Sequence, residues 1–149
     1  MSLFRVDRRT ELPVAEAWRR LTDWSAHGAL MPLTRVRVVT PGPSRAGTLF
    51  TARTGAGPLG FDDPMEVVRW ESPADGRPGG RCRLEKRGRR ITGWAEIEVR
   101  AEHGATRVSW TEEARVRGLP RFCDPLLAWG ARLAFGRVVD GLLAGAGRR

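Results

Sequence analysis

Residues 81–116 read RCRLEKRGRRITGWAEIEVRAEHGATRVSWTEEARV, and this stretch decides the fold. Cys82, Leu84, Ile91, Ala95, Ile97, Val99, Val108 and Trp110 share one phase of a two-residue period, while Arg81, Arg83, Glu85, Glu96, Glu98, Arg107, Ser109 and Glu113 share the other. Strands with one buried and one wet face read this way, as in an antiparallel sheet covered on one side. The alternation breaks around Gly88 and Gly104, so the stretch is three strands, about Arg81–Arg87, Ile91–Ala101 and Thr106–Val116, joined by two hairpins. Closing the hairpins at Arg87–Arg90 and Glu102–Ala105 sets Cys82 beside Ala95 beside Glu112, and Leu84 beside Gly93 beside Ala114. On the outer face it sets Arg81 opposite Glu96. Inward phases meet inward phases, and a one-residue slip would invert a whole strand.

Upstream lie three further strands, Arg35–Thr40, Gly47–Thr54 and about Phe61–Glu71, bounded by Gly, Pro or Asp-rich punctuation. Six strands in succession imply a meander. A first strand, about Leu3–Glu11, precedes them, with Phe4 and Val6 on one face. Pro13 then opens a helix of about ten residues, since a first-turn proline gives up no hydrogen bond. Val14, Ala17, Trp18 and Leu21 form its apolar stripe. Thr22 or Asp23 caps a second short helix that runs to about Leu30 and is stopped by Pro32. The chain closes with a helical stretch from about Pro120 to Ala144. Its main stripe is Leu127, Ala131, Phe135, Val138 and Leu142, and a shorter one is Phe122, Leu126, Trp129 and Leu133. The shorter stripe requires a cover. The segment Gly55–Phe61 or the second short helix is the expected one, with a dimer partner as the alternative.

Gly93, Ala95 and Ala114 leave small residues at the inner middle of the sheet. Either the final helix fills that space or the space is a cavity. Two charged residues share the inward phase, Glu112 and Lys86, the chain's one lysine. An inward carboxylate is costly unless paired, hydrated or protonated, and such settings are where functional groups occur. In the register above, the two are offset by four residues, about 13 Å at roughly 3.3 Å per residue, too far for direct pairing.

The remaining signals exclude more than they include. A chain of 149 residues fits one domain, 1–149. Net charge is +9, but all save one of the 26 basic residues are Arg, and Asn, Gln and Tyr are absent. That composition fits a GC-rich coding bias, and the scattered arginines argue against a nucleic-acid binder. Cys82 and Cys123 lie far apart and read as packing thiols. Neither a zinc spacing nor a phosphate loop is present, so no metal or cofactor is expected. His27 reads as a surface residue of the second helix, and His103 as a turn residue. No catalytic residue is assigned. Asp62 and Asp63 are adjacent, so they point to opposite faces of a strand, and Asp62-Asp63-Pro64 reads first as a turn. The N-terminus lacks the apolar run of a secretory signal, and Arg132, Arg137 and Asp140 interrupt the final helix, so a cytoplasmic protein without a membrane span is expected.

LPVAEAW at 12–18 with LTDW at 21–24, GTLF at 47–50, GATRVSW at 104–110 and the closing helix resemble the SRPBCC superfamily, the START-like group that includes polyketide cyclase/dehydrase and lipid-transfer proteins. The resemblance covers almost the whole chain and is specific for architecture, not for activity. It implies an α+β helix-grip fold: a seven-stranded antiparallel curved sheet around the C-terminal helix, two short helices after strand one, and an apolar cavity between sheet and helix. It also implies a hydrophobic small-molecule partner, lipid- or polyketide-like, with cyclase or dehydrase activity in some members. The candidate lining is Leu30, Phe50, Met65, Cys82, Leu84, Ala95, Ile97, Val108, Trp110, Glu112, Leu127, Ala131 and Phe135. A module that binds protein through the short stripe of the final helix is the alternative. The oligomeric state, monomer or homodimer, is open.

Overall fold

The computed structural model describes residues 2–73 and 77–145. Seven strands form one antiparallel sheet: β1 Ser2–Thr10, β2 Thr34–Val38, β3 Leu49–Thr54, β4 Phe61–Glu71, β5 Gly79–Lys86, β6 Ile91–Glu102 and β7 Ala105–Val116. Their spatial order is β1-β7-β6-β5-β4-β3-β2, a meander in which the first strand joins the last. The helices α1 Val14–Leu21 and α2 Trp24–Leu30 follow β1, and α3 Asp124–Leu143 closes the chain. This is the helix-grip architecture.

Local chemistry fixes these elements where the sequence reading places them. Pro13 precedes the first turn of α1, and the Asp23 side chain caps α2 by accepting from the Ala26 N–H at 3.3 Å. Glu16 holds both Arg19 and Arg20, and Arg20 donates to the Leu143 carbonyl, which ties α1 to the end of α3. Between β6 and β7, His103 at φ 46° and Gly104 at φ 77° make a two-residue turn in the twist sense that hairpins favour. The expected β6–β7 register follows: Ala95 opposes Glu112 and Gly93 opposes Ala114.

The β5–β6 register differs from the expectation by two residues. Cys82 opposes Ile97, Leu84 opposes Ala95, and Arg81 opposes Glu98, with which it forms an ion pair at 2.5 Å. The cause is tertiary. The Arg87 N–H donates to the Pro64 carbonyl at 2.7 Å, extending the β5 contact with β4 past Lys86 and moving the turn one residue along. A shift of two leaves every side chain on its expected face. The outer ion pairs Arg81–Glu98 and Arg83–Glu96 are half-exposed and contribute only a few tenths of a kcal/mol each.

One end of the grip is solid core. Trp18 of α1 packs edge-on against Trp70 at 5.0 Å and lies over Gly80, where an added Cβ would stand 2.7 Å from the indole. Cys82, Ile97, Val99 and Val108 are sealed there together with Val138, Val139 and Leu142 of α3. At the other end the helix and the sheet do not close on each other.

The expected cover over the short stripe of α3 is absent among the described residues. Phe122 is 83% exposed and Trp129 60%, and Leu126 and Leu133 are exposed as well. The expected covers are engaged at the cavity instead: α2 packs against β2, and Phe61 lines the cavity.

Candidate functional site

The open end encloses a cavity of about 310 Å³ between the concave face of the sheet, α2 and α3, at the lower end of the range typical for small-molecule sites. Of the expected lining, Phe50, Met65, Leu84, Trp110, Glu112, Leu127, Ala131 and Phe135 face it. Leu30, Cys82, Ala95, Ile97 and Val108 do not. Cys82, Ile97 and Val108 share the inward phase but lie toward the solid end, under Trp18 and the last turns of α3, and Ala95 is sealed between its strand neighbours. Leu30 packs on Gly141, filling the space a side chain would take there. Burial in a solid core pushes the Cys82 thiol up to about 12, so it is an inert packing residue.

Aromatic rings build the wall. Trp24 stacks on Phe50 at 4.7 Å, Phe4 on Phe135 at 5.3 Å, and Trp110 meets both Phe135 and the His27 ring. Phe4 reaches the site because β1 pairs with β7, placing it opposite Glu112. Trp24 and His27 reach it because α2 lies across the opening.

His27 is buried, not a surface residue as expected. Its Nε2–H donates to the Leu21 carbonyl at 2.7 Å, which leaves Nδ1 as the unprotonated acceptor of the ring. Burial pushes its pKa down to about 4, against the smaller opposing effects of Leu21 and Asp23. Between the ordinary value of 6.5 and about 4, the unfolded chain binds a proton that the folded one refuses. The associated stability is complete above 6.5 and is lost as pH falls toward 4. Thermal unfolding should show an acid-side loss of about 3 kcal/mol from this group, absent in His27→Gln, from the shift at about 1.4 kcal/mol per unit. Equal acid slopes in the two proteins would refute the assignment.

The polar part of the cavity is a cluster on three strands: Asp63 of β4, Lys86 of β5 and Glu112 of β7. Lys86 Nζ donates to Asp63 Oδ2 at 2.7 Å, with side-chain exposures of 6% and 11%. Asp63 Oδ1 is buried with no hydrogen-bond partner among the described residues. Glu112 lies within electrostatic reach of Lys86 but beyond ion-pair contact. Burial raises the pKa of Glu112, the Lys86 ammonium opposes that rise, and Asp63 adds to it. The Trp110 indole N–H, close enough to favour the charged carboxylate, is not aligned as a hydrogen bond and has no other acceptor among the described residues. Burial also works against the charge on Lys86, but the two carboxylates outweigh it and hold the ammonium above its ordinary range.

The two-residue shift between β5 and β6 creates this cluster, since it halves the expected offset between Lys86 and Glu112. Asp63 was hidden by its context. Asp62-Asp63-Pro64 lies inside β4, with Asp62 outward on Arg53 at 3.0 Å and Asp63 inward. Among the described residues no group of side chains is arranged to hold a metal ion.

Comparison with solved structures matches this architecture over nearly the full length. A protein of Thermus thermophilus superposes with a TM-score of 0.73 at 16% identity, covering 95% of this chain and 94% of that one. The Zhui aromatase/cyclase of Streptomyces sp. R1128 gives 0.67 at 14% identity, over 99% and 94%. The chain has an SRPBCC-type, START-like fold. A norcoclaurine synthase of Thalictrum flavum, solved as a point mutant with a transition-state analogue, shares the START-like fold at a TM-score of 0.64 and 12% identity, over 97% and 94%. No family model and no curated protein matches the sequence itself. Within this START-like frame, no helix among the described residues is long and apolar enough to cross a membrane.

Proposed function

We propose that the protein binds a hydrophobic small molecule, lipid- or polyketide-like, in the cavity between sheet and α3, with a polar end of the ligand against Asp63, Lys86 and Glu112. The observation that carries this reading is the cavity itself: an aromatic wall with one buried charged cluster. Buried charges are costly, and a solid core would dispense with them. The apolar wall supplies affinity, and the few convergent polar groups fix orientation. Aromatase/cyclase and norcoclaurine synthase structures on the same fold support the reading by analogy.

Titration with Nile red, a neutral apolar dye, tests it. Saturable binding at one dye per chain is expected, and Ala131→Trp, which fills the cavity from α3, should weaken it about tenfold or more by removing the space. Absence of saturation, or a variant that binds as the parent does, would refute the proposal.

One observation favours a second reading, cyclase or dehydrase turnover. A carboxyl group whose pKa is raised by burial in an apolar cavity holds its proton to a higher pH than an exposed one, and so can donate it where exposed carboxyls no longer do. His27, held neutral with a pKa near 4, serves as a hydrogen-bond acceptor and not as a base. On this reading Glu112→Gln retains Nile red binding and lowers turnover of a poly-β-ketone substrate about a hundredfold, the scale of general acid catalysis. Loss of binding and turnover together would make Glu112 a binding group instead.

A further inference from the structure

The first half of α3, between Asp124 and Arg132, is apolar on two opposite sides. Leu127, Ala131 and Phe135 face the cavity, while Leu126, Trp129 and Leu133 on the opposite side face outward, continued by Phe122 in the preceding turn. A helix of this kind belongs in a core or at an interface. The segment that carries the outer stripe, 117–137, bears Arg117, Arg121, Arg132 and Arg137, all exposed and none in an ion pair among the described residues. The carboxylates of α3 are Asp124 and Asp140, and Asp140 is neutralised by Arg8 at 2.7 Å. The covering partner must therefore bring apolar contact and negative charge together. A second copy would bring the same four arginines against themselves across a twofold axis, which opposes pairing through this face. Trp, Phe and Leu between arginines are the composition of a helix that lies in a lipid interface.

We propose that the outer face of α3 docks the protein on an anionic phospholipid surface, with the helix in the membrane plane. The apolar stripe sinks into the headgroup boundary and the four arginines meet lipid phosphates and anionic headgroups. The same helical turns form a wall of the cavity, so docking sets that wall directly over the acyl region. The inference stands on the outer face alone, and its readout is separate from that of dye binding in the cavity.

Co-sedimentation with vesicles of phosphatidylcholine, and of phosphatidylcholine mixed equally with phosphatidylglycerol, tests it at low salt. Binding to the mixed vesicles should exceed binding to phosphatidylcholine by about tenfold or more and fall as salt rises. Leu126→Ser with Trp129→Ser should reduce it about tenfold or more, since both side chains lose their burial. Arg132→Gln and Arg137→Gln should each reduce it about fivefold, the value of roughly one kcal/mol per basic residue near an anionic surface. All four positions are exposed, so the variants should keep the parent's circular dichroism. Failure to bind mixed vesicles, or binding unchanged by these substitutions, would overturn the proposal. So would a dimer in sedimentation velocity that Trp129→Ser dissociates, which would assign the face to a second copy.

Discussion

Replacing Lys86 by Met is expected to cost about 3–5 kcal/mol of folding stability at neutral pH, the scale for removing one partner of a buried ion pair. The ammonium is the sole cation of the cavity cluster, bonded to Asp63 at 2.7 Å and attracted by Glu112. Without it, two carboxylates face each other in an apolar space, and Asp63 Oδ1 already has no hydrogen-bond partner among the described residues. Removing the Lys86 charge takes away what opposes the rise of the Glu112 pKa, which would then lie further above its ordinary range in the folded state. A raised acid pKa means that the folded protein holds protons the unfolded chain releases, so the variant should lose stability as pH rises and recover it on acidification. Urea unfolding across this range checks the slope. The triple variant Asp63→Asn, Lys86→Met, Glu112→Gln should regain most of the loss, because neutral groups carry no charge burial cost. A single variant as stable as the parent, or a triple variant as unstable as the single, would show that the charges are not coupled.

The second large effect is expected at Gly93. A Cβ there would stand 1.9 Å from the Glu113 carbonyl oxygen, and its φ of 135° lies where side chains are rarely tolerated. Gly93→Ala therefore requires β6 and β7 to separate beside Glu112, and a loss of more than about 4 kcal/mol is expected, within the range reserved for severe core lesions. Gly104 is the internal control. It also has positive φ, at 77°, but nothing lies within 4 Å of its added Cβ, so Gly104→Ala should cost only about 1–2 kcal/mol. Similar losses at both positions would mean that backbone conformation alone, and not the strand contact, sets the effect at Gly93.

Much of this architecture is legible in the sequence because the alternation in 81–116 is strong and self-consistent. The three strands, their inward faces and the β6–β7 register all follow from it, since phase and turn type are local properties. The β5–β6 offset is not local. It depends on the Pro64 carbonyl bonding the Arg87 N–H, a contact between segments that no spacing within the hairpin encodes. The same limit governs the site. Glu112 is visible as an inward carboxylate, but its neighbours Lys86 and Asp63 become neighbours only when three strands are in register. Asp63 also carries a turn-like context that the long strand β4 overrides. His27 sits on a helix too short to show a stripe, and only the packing of α2 over the opening buries it. Along the inward phase, nothing in the residues separates Leu84, which lines the cavity, from Cys82, which does not. The placement of Trp18 over Gly80 makes that division.

The pairing of β1 with β7 has a kinetic consequence. Val6 finds its strand partner only at Trp110, so the sheet cannot be completed until nearly the whole chain is available. Closing so distant a contact consumes chain entropy before any reward, which places this protein among slow-folding β-rich topologies. During biosynthesis the emerging first strand would wait with an unpaired edge and an apolar face, the period in which a chaperone would most alter yield.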